Sequence, residues 1–166
     1  MRDYIILNSK YNLVNESMQS RENYFVLPNQ SLNDIPRDVE NIRFNKYGND
    51  RNLTALDFAS MGFTNLRSIK IGFECFQYVE RFVIDGLERL ETVEIGTRCF
   101  INSDEERTNG VFRIANCPNL IQLEIGFSSF AKFSQFELCN VNSLQSIKFG
   151  DGCCLLADCI LKGTTV

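Results

Sequence analysis

The sequence predicts a mainly β fold: a right-handed solenoid of about five 24-residue coils, two short strands per coil, behind an N-terminal cap. Three observations predict it. An apolar-x-x-apolar-x-apolar pattern returns at near-constant spacing. A glycine follows each return. A second apolar-x-apolar half-unit follows each glycine.

The first pattern runs Leu66-x-x-Ile69-x-Ile71-Gly72, then Leu90-x-x-Val93-x-Ile95-Gly96, Leu120-x-x-Leu123-x-Ile125-Gly126 and Leu144-x-x-Ile147-x-Phe149-Gly150, at spacings of 24, 30 and 24. Phe76, Phe100, Phe130 and Cys154 stand four residues after the glycines. The second half-units are Phe82-x-Ile84, Phe112-x-Ile114, Phe136-x-Leu138 and Cys159-x-Leu161. Apolar alternation is the two-residue period of a strand with one buried face. Stacked at about 4.8 Å, such strands bury continuous ladders that no single repeat could bury alone. Two columns hold turn residues: Gly72, Gly96, Gly126 and Gly150 after the first strand, and Gly86, Asn116, Asn140 and Gly163 after the second. A Gly/Asn restriction predicts positive φ in both columns.

Upstream, Val39-x-x-Ile42-x-Phe44 and Leu56-Asp57-Phe58 read as a worn repeat beginning near Asn33. Residues 1–33 hold two strand candidates, Tyr4–Leu7 and Tyr24–Leu27, and are expected to cap the open apolar end. The domain reading is thus a capping segment, 1–33, and a repeat body, 34–166, in one domain.

Composition narrows the function classes. With 44% hydrophobic and 23% charged residues the chain has the make-up of an ordinary globular protein. Its net charge of −4, with scattered Lys and Arg, argues against nucleic acid as a partner. No apolar run is long enough for a membrane span, and the start at Met1 lacks a signal-peptide core, which points to a cytoplasmic compartment. Histidine is absent, which removes the commonest general base and metal ligand and lowers the expectation of an enzyme. Phosphate-binding glycine loops are also missing. No catalytic set, cofactor or metal is expected.

The Leu-x-x-Ile-x-Ile-Gly-x-x-Cys-Phe unit resembles the leucine-rich repeat, specifically the treponemal or BspA-like class with its Ile-Gly-x-x-Ala-Phe element. The run from Leu66 to Leu87 is similar to mostly uncharacterised, expanded repeat proteins of protists. The resemblance covers residues 34–163. It departs from the family in placing Cys75, Cys99, Ser129 and Cys153 where the small core alanine stands, and in lacking the usual asparagine ladder. It implies a leucine-rich-repeat-like solenoid that binds protein, often at cell surfaces. The expected function is therefore a non-catalytic protein-protein interaction scaffold, the alternative a secreted or cell-surface recognition protein of the same fold.

The candidate interaction face is the set of non-consensus positions around the first strand: Arg67, Lys70, Glu91, Glu94, Ile121, Glu124, Gln145 and Lys148. Six extra residues between Phe100 and Phe112 form a polar insertion, with Asp104, Glu105, Glu106 and Arg107 as a candidate binding loop. The seven cysteines read as packing rather than ligands, because six fall in core or small columns and no Cys-x-x-Cys occurs. Cys139 alone is expected to face outward. In a secreted form Cys75 and Cys99, one strand spacing apart, are close enough to pair.

Overall fold

A computed structural model describes residues 20–28, 30–101, 109–154 and 157–163; the strand candidate Tyr4–Leu7 lies outside them. The strands are β1 (Asn23–Val26), β2 (Asn41–Phe44), β3 (Ala55–Asp57), β4 (Ser68–Ile71), β5 (Arg81–Asp85), β6 (Thr92–Ile95), β7 (Gly110–Ala115), β8 (Gln122–Ile125), β9 (Phe133–Cys139), β10 (Ser146–Phe149) and β11 (Asp158–Lys162). One 3-10 turn, Leu32–Asp34, is capped by the Ser31 side chain. No α-helix occurs among the described residues.

The mainly β expectation agrees with this, but the right-handed solenoid of five even coils does not. The strands assemble as two parallel sheets, one of six strands in the order β1-β2-β4-β6-β8-β10 and one of five in the order β11-β9-β7-β5-β3. Successive strands β1 and β2 enter the same sheet, so the alternation between sheets begins only at β3. The physical reason is that side-chain periodicity dictates which face of a strand is buried and which strands share a register. It does not dictate how two sheets enclose what lies between them.

The registers are regular. Ile42, Ile69, Val93, Leu123 and Ile147 fall in one column, as do Phe44, Ile71, Ile95, Ile125 and Phe149. In the second sheet Leu56, Phe82, Phe112, Phe136 and Cys159 align. Between the sheets the phenylalanines stack: Phe100 on Phe130 with centroids 4.5 Å apart, Phe112 on Phe136 at 4.3 Å, and Phe82 edge-on to Phe100 at 5.0 Å. Such pairs add about 0.5–1.5 kcal/mol each beyond their burial. The core closes at one end over Tyr24, Val26, Ile35 and Val39, all buried. At the other end, among the described residues, Leu161 is 57% and Phe149 49% exposed.

The two turn columns differ in cause. Gly86, Asn116, Asn140 and Gly163 have positive φ, as expected. Among the glycines after the first strand, none does. They are required by close approach instead. A Cβ on Gly96 would lie 2.6 Å from the Gly72 carbonyl oxygen, one on Gly126 2.6 Å from the Gly96 carbonyl carbon, and one on Gly150 2.5 Å from the Phe127 nitrogen. The left-handed positions in this turn belong to Glu74, Arg98 and Ser128 and to Phe76, Phe100 and Phe130. Bonds to neighbouring units hold them there: Glu74 N–H to the Thr97 oxygen at 3.1 Å, and Phe76 N–H to the Tyr47 oxygen at 2.8 Å. Tertiary hydrogen bonding offsets the local strain.

The small core column has its own ladder. Cys99, Ser129 and Cys153 each donate from the side chain to the glycine carbonyl one unit back, Gly72, Gly96 and Gly126, at 2.7, 2.8 and 2.8 Å. Ser129 Oγ in turn accepts the Cys99 N–H at 3.0 Å. A thiol or hydroxyl here satisfies buried backbone groups that alanine could not, which accounts for the departure from the Ala-Phe pattern.

Candidate functional site

The predicted face lies along the solvent side of the six-stranded sheet. Lys70, Glu94, Glu124 and Lys148 pair in register across β4, β6, β8 and β10, forming one row. Lys70 and Glu94 form an ion pair, and Lys148 reaches Glu124 at 3.9 Å. Glu94 and Glu124 are lateral neighbours of like charge, each flanked by a lysine. Arg67, Glu91, Ile121 and Gln145 make a second row just before the strands, joined by backbone bonds from Glu91 N–H to Arg67, Ile121 N–H to Glu91 and Gln145 N–H to Ile121. Arg67 sits between Glu40 at 3.6 Å and Glu91 at 2.6 Å. These pairs are solvent-exposed and contribute roughly 0–1 kcal/mol each. Their consequence is a fixed charge pattern rather than stability.

The face extends beyond the predicted residues. β2 carries Arg43 into the Lys70 column, and β1 carries Phe25 beyond it. The Arg43 guanidinium lies over the Phe25 ring, 5.2 Å from its centroid. Beside this pair a hollow of about 220 Å³ is bounded by Asn41, Ser68, Lys70 and Glu94. The alternation Val39-x-x-Ile42-x-Phe44 already places Arg43 outward and is the signal that could have revealed it.

Two further side chains escape sequence reasoning. Phe73 and Phe127, each next after a glycine of the close-packed column, are 45% and 52% exposed. Thr97 separates them in the column, so they stand two strand spacings, about 10 Å, apart. Alongside, the glycines leave a groove of about 350 Å³ over Gly72, Gly96 and Gly126, walled by Phe73, Glu94 and Glu124. The repeated Ile-Gly-Phe at 71–73 and 125–127 is the signal that identifies them. With Ile121, 40% exposed, they place apolar side chains at both ends of the strands bearing the charged row.

The solvent side of the five-stranded sheet is different. Arg113 bridges Asp85 and Glu137 at 2.5 and 3.0 Å. The hydrogen bond to Asp85 holds its guanidinium above the usual arginine range. Asn116 donates to Asp85 and Asn140 to Asn116, at 2.8 and 2.9 Å. Val83, in the same outward column, is buried. This face is internally satisfied across its centre.

The candidate loop residues Asp104, Glu105, Glu106 and Arg107 lie outside the described residues. Among the described residues no group of His, Cys, Asp and Glu could hold a metal ion, and no helix is long and apolar enough to cross a membrane. Of the cysteines, Cys75, Cys99 and Cys117 are buried and Cys139 is half-buried, but Cys159, expected in a core column, is exposed. It stands on β11, whose inward face has no further described strand to cover it. Burial pushes the Cys117 thiol up to about 11 and Cys154 to about 12. Cys75 and Cys99 act as a pair. The neighbouring Cys99 thiol lowers the Cys75 thiol, while Cys75 and burial together push Cys99 up. Both are free thiols.

No protein family, curated protein or solved structure matches this chain.

Proposed function

We propose that this chain is a non-catalytic protein-binding scaffold that seats its partner on the solvent side of the six-stranded sheet. The observation that carries the reading is the set Phe73, Ile121 and Phe127, exposed at the rims of a face whose centre is the row Lys70, Glu94, Glu124 and Lys148. Apolar anchors beside a polar field are the anatomy of a protein interface, where aromatic anchors dominate the energy and the polar field gives register. The opposite sheet offers no comparable anchor across its centre, since Arg113, Asp85, Glu137 and Asn116 are bonded to one another. A scaffold rather than an enzyme is supported by the lack of histidine and by carboxylates tied to lysine and arginine on an open surface.

The test is quantitative capture with three forms of the chain: wild type, the double variant Phe73→Ala/Phe127→Ala, and Arg81→Ala on the other sheet. The expected result is a specific partner retained by wild type and by Arg81→Ala and lost by the double variant. Partners indifferent to the double variant would remove this face from consideration.

A further inference from the structure

We propose that the glycine-floored groove of the six-stranded sheet takes an arginine side chain of the partner, its guanidinium lying between Glu94 and Glu124 and against the Phe73 ring. The inference rests on the reading that this face seats a protein, and adds the chemistry that the face recognises. The groove lies over β4, β6 and β8, each of which has a described strand on both sides.

Charge is the first argument. Lys70, Glu94, Glu124 and Lys148 stand in register, so the two carboxylates are lateral neighbours on strands about 4.8 Å apart. Like charges side by side on adjacent strands are unfavourable. Elsewhere the chain meets the same problem with an arginine of its own: Arg67 sits between Glu40 and Glu91, and Arg113 bridges Asp85 and Glu137. Between Glu94 and Glu124 no cation of the described residues stands, because Lys70 and Lys148 occupy the outer columns. Lys70 engages Oε2 of Glu94, and Lys148 and Gln122 engage Oε2 of Glu124. A carboxylate accepts at two oxygens, so both retain capacity for a further donor. The groove lining as a whole sets these two carboxylates against one ammonium, that of Lys70.

Shape is the second. The groove of about 350 Å³ has the backbone of Gly72, Gly96 and Gly126 as its floor. That floor is already hydrogen-bonded: the glycine carbonyls accept from Cys99, Ser129 and Cys153, and the N–H groups donate to Phe44, Ile71 and Ile95. Phe73, 45% exposed, forms a wall. Three arginines of this chain lie over rings, Arg37 over Phe63, Arg43 over Phe25 and Arg51 over Tyr78, each within 5.3 Å of the centroid. No cation or ring of the described residues covers Phe73 in that way. A guanidinium is planar and weakly hydrated, so it can stack on the ring while its N–H fork reaches both carboxylates. A lysine ammonium would meet the carboxylates only as a point charge. A hard metal cation would need about six oxygens, and no metal-holding group of side chains exists among the described residues.

The test is an NMR titration of the full chain with the capped tripeptide acetyl-Gly-Arg-Gly-amide, and with the same peptide carrying lysine or the neutral isostere citrulline. The arginine peptide is expected to shift the Gly96 and Thr97 amides saturably. The lysine peptide should bind at least about threefold more weakly, and the citrulline peptide should not saturate. Glu94→Gln/Glu124→Gln, with unchanged circular dichroism, should lower the arginine peptide's affinity at least about tenfold, and Phe73→Ala about threefold. Amides that stay still at the highest soluble peptide concentration overturn the proposal. So does equal binding of the lysine peptide, or an affinity indifferent to the glutamine pair. A captured partner lost by Phe73→Ala/Phe127→Ala but retained by Glu94→Gln/Glu124→Gln would leave the docking face standing and overturn the arginine alone.

Discussion

Replacing Gly96 separates two reasons for a glycine that look the same in a sequence. A Cβ at Gly96 would sit 2.6 Å from the Gly72 oxygen, 2.8 Å from the Gly72 carbonyl carbon and 3.1 Å from the Ile71 oxygen. All three are backbone atoms, so no side chain can swing aside. The Gly72 oxygen is some 0.7 Å inside ordinary C···O contact. Meanwhile the Gly96 N–H is bonded to the Ile71 oxygen at 2.7 Å, so relief means separating the two turns that follow β4 and β6. Overpacking of this kind costs about 3 kcal/mol, at the upper end of its usual range. Gly86 is the control: φ is +73° and no atom lies within 4 Å of its Cβ position. Gly86→Ala should cost about 1–2 kcal/mol, the left-handed penalty alone. Gly86→Asn should cost less than Gly86→Ala, because Asn116 and Asn140 already occupy that column at φ of 51° and 54°. Gly96→Asn should be at least as damaging as Gly96→Ala. Denaturant titration measures all four, and the Gly96 variants should melt about 6–12 °C below wild type for a chain of this size. Equal losses for Gly96→Asn and Gly86→Asn would refute the close-approach argument.

Other expectations follow from the same packing. Phe100→Ala removes a ring in contact with Phe76, Phe82 and Phe130 and should cost about 3–5 kcal/mol by denaturant titration. Glu94→Ala, on the preceding strand but facing solvent, should stay within about 0.5 kcal/mol. A limiting thiol reagent on dilute protein, mapped by mass spectrometry, should label Cys159 first and Cys139 next. Cys75 should stay protected despite its lowered thiol, because reagent access is closed by burial. Alkali should destabilise the fold. Cys117 rises from 9.0 to about 11 on folding, so its contribution is complete below pH 9 and is lost between pH 9 and 11 as the unfolded chain ionises first. A thiol displaced that far contributes about 2–3 kcal/mol. Cys117→Ala should therefore lose less stability than wild type over that interval, read as the change in denaturation midpoint.

The strands were legible because each carries its pattern locally. Ile69 and Ile71, or Phe82 and Ile84, announce a buried face whatever they pair with, and Tyr24–Leu27 was readable as a strand in the same way. The pairing was not local. Nothing in Tyr24-Phe25-Val26 states that it joins β2 in the six-stranded sheet. The positive φ at Glu74 and Phe76 was invisible for a related reason. Those residue types disfavour the left-handed region, and the bonds that their N–H groups donate to the Thr97 and Tyr47 carbonyls hold them there. For the site, the charged row was readable from alternation, whereas Phe73 and Phe127 escaped it because they follow the strand and belong to no alternation. Cys159 shows the converse error: its column is a core column everywhere except at the end of the sheet.

The side-chain ladder through Cys99, Ser129 and Cys153 bears on how such a chain changes length over evolutionary time. Every rung reaches one unit back, over 27 residues from Cys99 to Gly72 and 33 from Ser129 to Gly96, yet the two bonds differ by only 0.1 Å. The six extra residues between Phe100 and Phe112 leave the two bond lengths alike. Duplicating or deleting a whole unit puts the same donor beside the same carbonyl. A single-residue slip within a strand would break rungs on both sides at once. The ladder is therefore compatible with changes of length in whole units or between strands, and not with a one-residue slip inside a strand.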